Sequence, residues 1–570
     1  MPLKNLRTTI SAHENIIALC IISIFVLIFN LQAIYGLKTL MEDDFARYLD
    51  AINGGFFNPK PYGFIPGAIK ALNKQLMLVS AQFARLFYVV FFAIPLSLTV
   101  YYLNRRYFNF EFSTALFSAI LLNILPFQIQ IPTFLDGSYP LIGLLFIFTS
   151  INAALEYLQS RNPLLLLLAC LSWYMGTYHF TLAELNIFMT PSVLILFLIH
   201  NKGFTKDRIT ILTLFSLISS YKIYLVLSVI ASGKSRGAAT PIAINGQDII
   251  IRIGKFISWS SLIPTRAFTN LYYHSFCTAL LLLCSLFTII TILLFNKNLP
   301  NRKNYMSAVM FYALFSLCAS FPFITASPFI APRYFFVANV GICILYIMCI
   351  YLIVNGLLRS SQYVSTITGV TLLSVTMFAG VHRHMHLSES HAYKNKNFNT
   401  LCDQLKVLGN IQPGSQMVVT GFNADTGEHY KWSSGLYSFC LKKPGISGII
   451  GNEYSFYDQF SVADRAYFRK MGGLDVSKPI YLFRSVNNTF IRPKYLLRWL
   501  EKEKSSSAWT IYTTDATTNL LKRYGSGEGI ENYQKFLKNR GLSSEEILWG
   551  GYDPARKWTD FVNTSKVKSF

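Results

Sequence analysis

Three consecutive carboxylates, Glu42, Asp43 and Asp44, follow the first long hydrophobic stretch of the chain, and Arg47 comes shortly after them. In a helix, Arg47 lies at i,i+4 from Asp43 and at i,i+3 from Asp44, so that it can reach either carboxylate. The guanidinium would hold one carboxylate ionised, while the neighbouring like charge raises the proton affinity of the other. This arrangement is typical of a general base. The sequence leaves open which aspartate takes the proton.

A second interpretation of this acidic cluster is a solvated cap on a helix beside the membrane. The string Asp-Asp-x-x-Arg is short and occurs by chance, so its position carries the argument. Desolvating a carboxylate beside a bilayer is costly unless the charge is paired. We therefore favour chemistry at the membrane surface on a substrate that the lipid delivers.

Composition indicates that most of the chain is built for lipid. The 570 residues are 52% hydrophobic and only 14% charged, with a mean hydropathy of +0.38, whereas a soluble protein carries roughly 25% charged residues. The net charge of +23 suits membrane lipid and anionic substrates. No stripe of Lys and Arg or known fingerprint indicates a nucleic-acid partner. We predict a polytopic transmembrane domain over 1–381 and a soluble domain over 382–570.

Eleven apolar runs approach the length of about 20 residues that a membrane-spanning helix needs. The N-terminus is assigned to the inside, because each short loop on that side then carries Lys or Arg. The long outer loops are then 37–81 and 232–274, and the odd number of spans places 382–570 outside the cytoplasm, which in a bacterium is the periplasm. The runs are 15–36, 82–103, 112–130, 138–157, 163–178, 182–200, 209–231, 275–295, 305–325, 334–356 and 363–381.

The C-terminal domain has the pattern of a mixed α/β fold. Helical spacing of apolar residues predicts helices over 397–408 and 494–503, and short apolar runs at 417–419 and 480–483 predict buried strands. Cys402 and Cys440 are the only cysteines of this domain. Outside the cytoplasm they could form a disulfide, and two free buried thiols are the equal alternative.

A polytopic chain with an aspartate pair in its first outer loop resembles the GT-C class of glycosyltransferases. The motif Asp43-Asp44-x-x-Arg47, the eleven-span plan and the outward α/β domain resemble the serotype-converting O-antigen glucosyltransferases, the Gtr family. The resemblance implies an inverting transfer of glucose from undecaprenyl-phosphate glucose to a sugar hydroxyl of the O-antigen of lipopolysaccharide. It places this reaction on the periplasmic face of the bacterial inner membrane.

The implied leaving group is a polyprenyl phosphate, whose growing negative charge needs fixed cations. Arg333, in a short outer loop before the tenth span, is the first candidate, and its alternative role is that of an interfacial anchor. Lys222 lies within the seventh span, where its ammonium either snorkels to the surface or faces a polar cavity. Arg85 begins the second span on the outer side, where arginine is more often an anchor.

Residues in the predicted outer segments could contact the sugar or the acceptor: Asp136, His179, Glu184 and Trp259. Each also has a structural interpretation, as a polar group at a helix end or, for Trp259, as a ring resting at the interface. The histidines after the last span favour an interfacial linker over a metal site.

The sequence thus predicts a mainly helical, GT-C-like membrane enzyme, a lipid-linked-sugar-dependent hexosyltransferase. Its partners would be an undecaprenyl-phosphate-linked sugar donor, an O-antigen acceptor and membrane lipid. The sequence leaves open whether a divalent metal assists, since paired carboxylates could hold Mg²⁺. Two alternatives are a transporter or flippase of an isoprenoid-linked saccharide, and another membrane enzyme that modifies polysaccharide.

Overall fold

The computed structural model divides the chain into two compact units. The first comprises Met1–Gly36, Pro59–Ile69 and Gln82–His391, and the second comprises Leu37–Asn58, Lys70–Ala81 and Ala392–Phe570. Within them, the structure describes residues 2–38, 40, 43–55, 64–124, 135, 139–176, 205–231, 253, 271–296, 302–325, 336–354, 371, 374–375, 378, 381, 395–396, 398–399, 401–403, 405, 411, 413–420, 430–451, 480–484, 509–514 and 521–526.

The described part of the chain is mostly helical, as the sequence predicted. Two short π-helical turns, Gln32–Gly36 and Val89–Ala93, interrupt or extend the longer helices. The helices are α1 (Pro2–Leu31), α2 (Asp43–Ile52), α3 (Phe64–Val79), α4 (Ala81–Tyr88), α5 (Ile94–Arg106), α6 (Phe112–Leu121), α7 (Tyr139–Ser160), α8 (Pro163–Gly176), α9 (Lys206–Ala231), α10 (Leu271–Phe295), α11 (Arg302–Thr325), α12 (Phe336–Leu352) and α13 (Tyr430–Leu441).

Three helical stretches among the described residues are long and apolar enough to cross a membrane: His13–Gly36, Ala81–Arg106 and Leu141–Ser160. They overlap the predicted first, second and fourth spans. Shorter apolar helices occur at Phe112–Leu121, Pro163–Gly176, Ala279–Phe295 and Val337–Leu352. The structure thus supports membrane association, while the count of eleven spans remains a prediction.

The turn between α7 and α8 shows how local sequence sets helix ends. The side-chain oxygen of Asn162 accepts a hydrogen bond of 3.0 Å from the backbone N–H of Leu164. Pro163 is the first residue of α8, a position where its fixed φ suits a helix and its missing N–H is not needed. The two helices consequently form a tight hairpin.

Ion pairs connect helices of the first unit. Arg105, at the end of α5, pairs with Glu14 of α1, and its Nη2 donates to Glu14 Oε2 over 2.9 Å. The next residue, Arg106, pairs with Glu156 of α7 at 3.1 Å. Arg161 pairs with Asp207 at the start of α9. Each pair joins positions that the sequence analysis assigns to the inner side.

The second unit contains a five-stranded sheet with the strand order β2-β1-β3-β4-β5. The strands are β1 (Gln416–Thr420), β2 (Ser447–Gly451), β3 (Ile480–Arg484), β4 (Trp509–Thr514) and β5 (Leu521–Ser526). The pairs β1–β2, β1–β3 and β3–β4 are parallel, and β5 is antiparallel to β4. The predicted strands at 417–419 and 480–483 lie inside β1 and β3.

Helix α13 connects β1 to β2, as the crossover of a parallel pair requires. Ser434 of this helix accepts a hydrogen bond of 3.1 Å from the backbone N–H of Gly448 in β2. Near its end, Cys440 forms a disulfide with Cys402. The described residues around Cys402 are helical, within the predicted helix 397–408, whereas the predicted helix 494–503 lies outside the described residues.

Candidate functional site

The acidic cluster lies at the start of α2. One face of this helix is withdrawn from solvent, with exposed fractions of 0% for Asp44, 0% for Phe45, 2% for Tyr48 and 1% for Ala51. Asp44, Tyr48 and Ala51 follow one another at i, i+4 and i+7, the spacing of a single helix face. Apolar residues on this face drive its burial, and they take Asp44 with them.

Full burial makes Asp44 chemically different from a surface carboxylate. A solvated cap would leave its carboxylate in water, whereas Asp44 has no exposed surface. An ionised carboxylate in that position must be compensated by other groups, or it takes up a proton. A general base must, in addition, lie within hydrogen-bond reach of the proton that it removes.

A charged cluster occupies the more exposed side of α2. Arg47 Nη1 lies 3.9 Å from Asp50 Oδ2, and Lys74 Nζ from α3 lies 3.7 Å from the same oxygen. The Lys74 ammonium also donates to the carbonyl of Gly55. The sequence analysis did not select Asp50 or Lys74. The i,i+3 spacing of Arg47 and Asp50 could have predicted their ion pair. No local pattern predicts that Lys74 joins it.

The end of α2 is set by two glycines. Gly54 has a φ of +82°, a backbone conformation that glycine adopts without strain. Its N–H donates to the carbonyl of Ala51 over 3.0 Å, and the N–H of Gly55 donates to the carbonyl of Asp50 over 2.7 Å. These bonds satisfy the last carbonyls of the helix and stop it after Ile52.

Phe45, next to Asp44, packs against aromatic rings of the second unit. Its ring centroid lies 5.5 Å from that of Phe398 and 5.9 Å from that of Phe439, with both pairs edge-to-face. Tyr48 meets Phe439 in the same way at 5.2 Å. Helix α2 is therefore anchored through its buried face by α13 and by the segment that contains Phe398.

Tyr48 is held as a neutral phenol. Burial raises the pKa of Tyr48 above its usual range, since the phenolate would lose its hydration. The ammonium of Lys442 lies 5.6 Å from the centroid of the Tyr48 ring and 4.2 Å from that of Phe439. This cation covers the aromatic contact between α2 and α13 from its exposed side.

The structure describes less of the other two members of the acidic cluster. Asp43 is the first residue of α2, and its side chain lies outside the described residues, as does Glu42 as a whole. The predicted pairing of Arg47 with Asp43 or Asp44 stays a prediction, and the ion pair described above joins Arg47 to Asp50.

Of the three cations predicted to meet a phosphate, Arg85 is the one whose side chain the structure describes. It lies in α4 with an exposed fraction of 0%. An interfacial anchor keeps its guanidinium among lipid headgroups and water, so full burial suits a role inside the protein better. Lys222 is placed on α9 without its side chain, and Arg333 lies outside the described residues.

The residues predicted to contact the sugar or acceptor, Asp136, His179, Glu184 and Trp259, all lie outside the described residues. Among the residues that the structure does describe, no group of three or more His, Cys, Asp and Glu side chains could hold a metal ion.

Comparison with known proteins does not assign the chain to a family. No family model matches it, and no curated protein matches it.

Proposed function

We propose that this protein is a membrane glycosyltransferase that moves a sugar from a polyprenyl-phosphate donor to a hydroxyl of a polysaccharide. The observation that carries the proposal is Asp44: a carboxylate with no exposed surface, on a helix shortly after the first candidate membrane span. Packing alone does not favour a carboxylate there, because apolar side chains would fill the same space at lower cost.

In the proposed reaction, the Asp44 carboxylate removes the proton from the acceptor hydroxyl. That oxygen attacks the anomeric carbon of the donor sugar from the face opposite the phosphate. The bond between the anomeric carbon and the phosphate oxygen breaks, and the polyprenyl phosphate leaves with the electron pair. One displacement inverts the configuration. Asp43 is the alternative base.

The departing phosphate needs fixed positive charge, because its negative charge increases as the bond breaks. We assign this role to Arg85, Lys222 and Arg333. A guanidinium can form two parallel hydrogen bonds with phosphate oxygens, which favours the two arginines for orientation as well as charge. Arg47, at i,i+4 from Asp43 and i,i+3 from Asp44, is assigned the orientation of these carboxylates.

One feature supports an orientation with the second unit outside the cytoplasm. The disulfide between Cys402 and Cys440 suits an oxidising compartment. The ion pairs Arg105–Glu14, Arg106–Glu156 and Arg161–Asp207 join positions that the proposed topology, with eleven spans and an inside N-terminus, places on one side of the membrane, and this holds for either orientation. We propose that the donor is undecaprenyl-phosphate glucose, the acceptor is the O-antigen, the membrane is the bacterial inner membrane and the C-terminal α/β domain is periplasmic.

The test is sugar transfer by membranes that contain the full chain, supplied with undecaprenyl-phosphate glucose and O-antigen. Asp44→Asn keeps the size of the side chain and removes its basicity, so transfer should fall by roughly 100-fold or more. Asp50→Asn is the matched control on the same helix, and it should retain most activity, because its ion pairs are partly exposed.

Retained transfer in a double Asp43→Asn, Asp44→Asn variant at normal protein level would refute the assignment of the base. Movement of the lipid-linked sugar across the membrane, without transfer by the wild-type chain, would instead identify a flippase. Linkage analysis of O-antigen from cells with and without the chain identifies the sugar and its position.

A further inference from the structure

Helix α13 approaches the backbone of α2 beside Asp44 more closely than any side chain allows. A Cβ atom built on Gly435 would lie 1.8 Å from the carbonyl oxygen of Phe45 and 2.3 Å from its carbonyl carbon. Real Cβ atoms do not approach backbone atoms to such distances. Glycine at 435 therefore sets the separation of the two helices, and any other residue must push α2 away.

The ring of Phe45 is held from two directions by residues near a covalent crosslink. Phe398 and Phe439 both contact it edge-to-face. Cys402 comes one helical turn after Phe398, and Cys440 directly follows Phe439. The disulfide between these cysteines joins the two segments that hold the ring.

The segment that leads into α2 is also held by a hydrogen bond from its backbone. The N–H of Lys38 donates a hydrogen bond of 2.8 Å to the side-chain oxygen of Asn395. Asn395 is itself fully buried and lies one turn before the position of Asn399, whose amide donates to it over 3.1 Å. The segment before α2 and the segment that carries Phe398 are thus joined at a second point.

We propose that Gly435, Phe398, Phe439 and the Cys402–Cys440 disulfide form a clamp that positions the Asp44 carboxyl for proton transfer. This inference rests on the proposed function, and the clamp residues are positioning residues that act through α2. It gives the segments of Phe398 and of α13, far from Asp44 in sequence, a part in the chemical step, beyond any recognition of the acceptor. Misplacement of a catalytic group by about 1 Å can cost on the order of 100-fold in rate.

The first test compares Gly435→Ala with Ser438→Ala in the full chain, in membranes. Gly435→Ala should lower kcat by roughly 10- to 100-fold and leave the KM for the donor within about twofold, because the phosphate-binding cations are untouched. Ser438→Ala removes a buried hydroxyl from the same helix, whose bond to the Ile446 carbonyl is long at 3.4 Å. It should retain near-normal kcat.

The second test measures hydrogen exchange of the α2 amides in the detergent-solubilised full chain. Protection of residues 44–52 should fall in Gly435→Ala and in a Cys402→Ala, Cys440→Ala double variant, and it should stay unchanged in Ser438→Ala. Alkylation of free thiols under denaturing conditions reports whether Gly435→Ala still forms the disulfide. The presence of the disulfide shows that the second unit has folded.

The outcomes separate the two proposals. A folded Gly435→Ala variant with normal kcat, or with unchanged protection of α2, overturns the clamp while wild-type transfer upholds the proposed function. A selective loss of kcat together with weaker protection supports the clamp. If the wild-type chain transfers no sugar, the proposed function fails, and the positioning role fails with it even where exchange shows that α13 holds α2.

Discussion

A carboxylate that is withdrawn from water needs compensating groups or a proton, and this requirement distinguishes the acidic residues of α2. Asp44 has no exposed surface, whereas the side chain of Asp50 is 42% exposed and pairs with two cations. Ion pairs as exposed as those of Asp50 contribute little to stability. Burial ties the charge state of Asp44 to the groups around it, and for this reason we assign the proton to Asp44 in the proposed reaction.

At the same scale, Arg85 gives a prediction about donor binding. Arg85→Lys keeps the positive charge and loses the planar pair of donors that matches a phosphate. The KM for undecaprenyl-phosphate glucose should therefore rise by about 10-fold, in line with the loss of one or two charge-assisted hydrogen bonds. Steady-state kinetics in membranes measures this change.

Arg106→Lys is the control for Arg85→Lys. Arg106 lies at the far end of the same helical stretch, pairs with Glu156 and has a half-exposed side chain. Its replacement should leave the KM for the donor unchanged. Equal effects of the two replacements would show that Arg85 acts on the stability of the helix instead of on the phosphate.

At the scale of elements, local patterns predict single helices and strands well, and they do not predict which distant elements pack together. The apolar run at 15–36 lies within the observed stretch His13–Gly36, and the apolar residues 417–419 and 480–483 lie in two neighbouring strands. These signals are local, since hydrophobic periodicity reflects burial of one segment.

No local sequence pattern predicted the packing of α2 against α13. It depends on a missing side chain at Gly435, hundreds of residues away in sequence from Phe45, and on an aromatic set drawn from three segments. A glycine inside a helical pattern lowers confidence in the helix when it is read alone. The role of Gly435 follows only from the position of the α2 backbone beside it.

The contact between α2 and α13 should weaken at alkaline pH through Tyr48. Burial raises the pKa of Tyr48 in the folded chain above that of the unfolded chain. The stability that comes from burying the neutral phenol is thus fully present below about pH 10, the unfolded value, and is lost as the pH rises through the folded pKa.

Thermal unfolding of wild type and Tyr48→Phe in detergent measures this effect. Because many other tyrosines ionise in the same range, the difference in Tm between the two chains is the quantity to follow. This difference should be small at pH 8 and should shift in favour of Tyr48→Phe above pH 10. A difference in Tm that stays constant across this range would show that ionisation of the Tyr48 phenol does not destabilise the fold.

At the scale of the whole molecule, membership of one compact unit restricts the topology. The unit that contains α2 also contains the sheet and α13, so α2 and these elements must lie on the same side of any membrane that the chain crosses. This condition follows from the fold and does not depend on the proposed chemistry. The sequence analysis predicted the same placement by counting spans and basic loops, and that topology stays a prediction.

Labelling of introduced cysteines in spheroplasts with a membrane-impermeant maleimide tests this requirement, with the wild-type chain as the blank. Asn53, after the end of α2, and Pro444, after α13, are exposed in the second unit, and Ser160 is exposed at the end of α7 in the first. Asn53→Cys and Pro444→Cys should react in intact spheroplasts, and Ser160→Cys should react only after permeabilisation.

The pattern of labelling distinguishes an error in the fold from an error in the function. Opposite sides for Asn53→Cys and Pro444→Cys would contradict the second unit itself, because its two parts could not then pack together. If both are inaccessible and Ser160→Cys is accessible, the unit stands but faces the cytoplasm. A periplasmic acceptor would then be out of reach of Asp44, and the disulfide would lie in a reducing compartment.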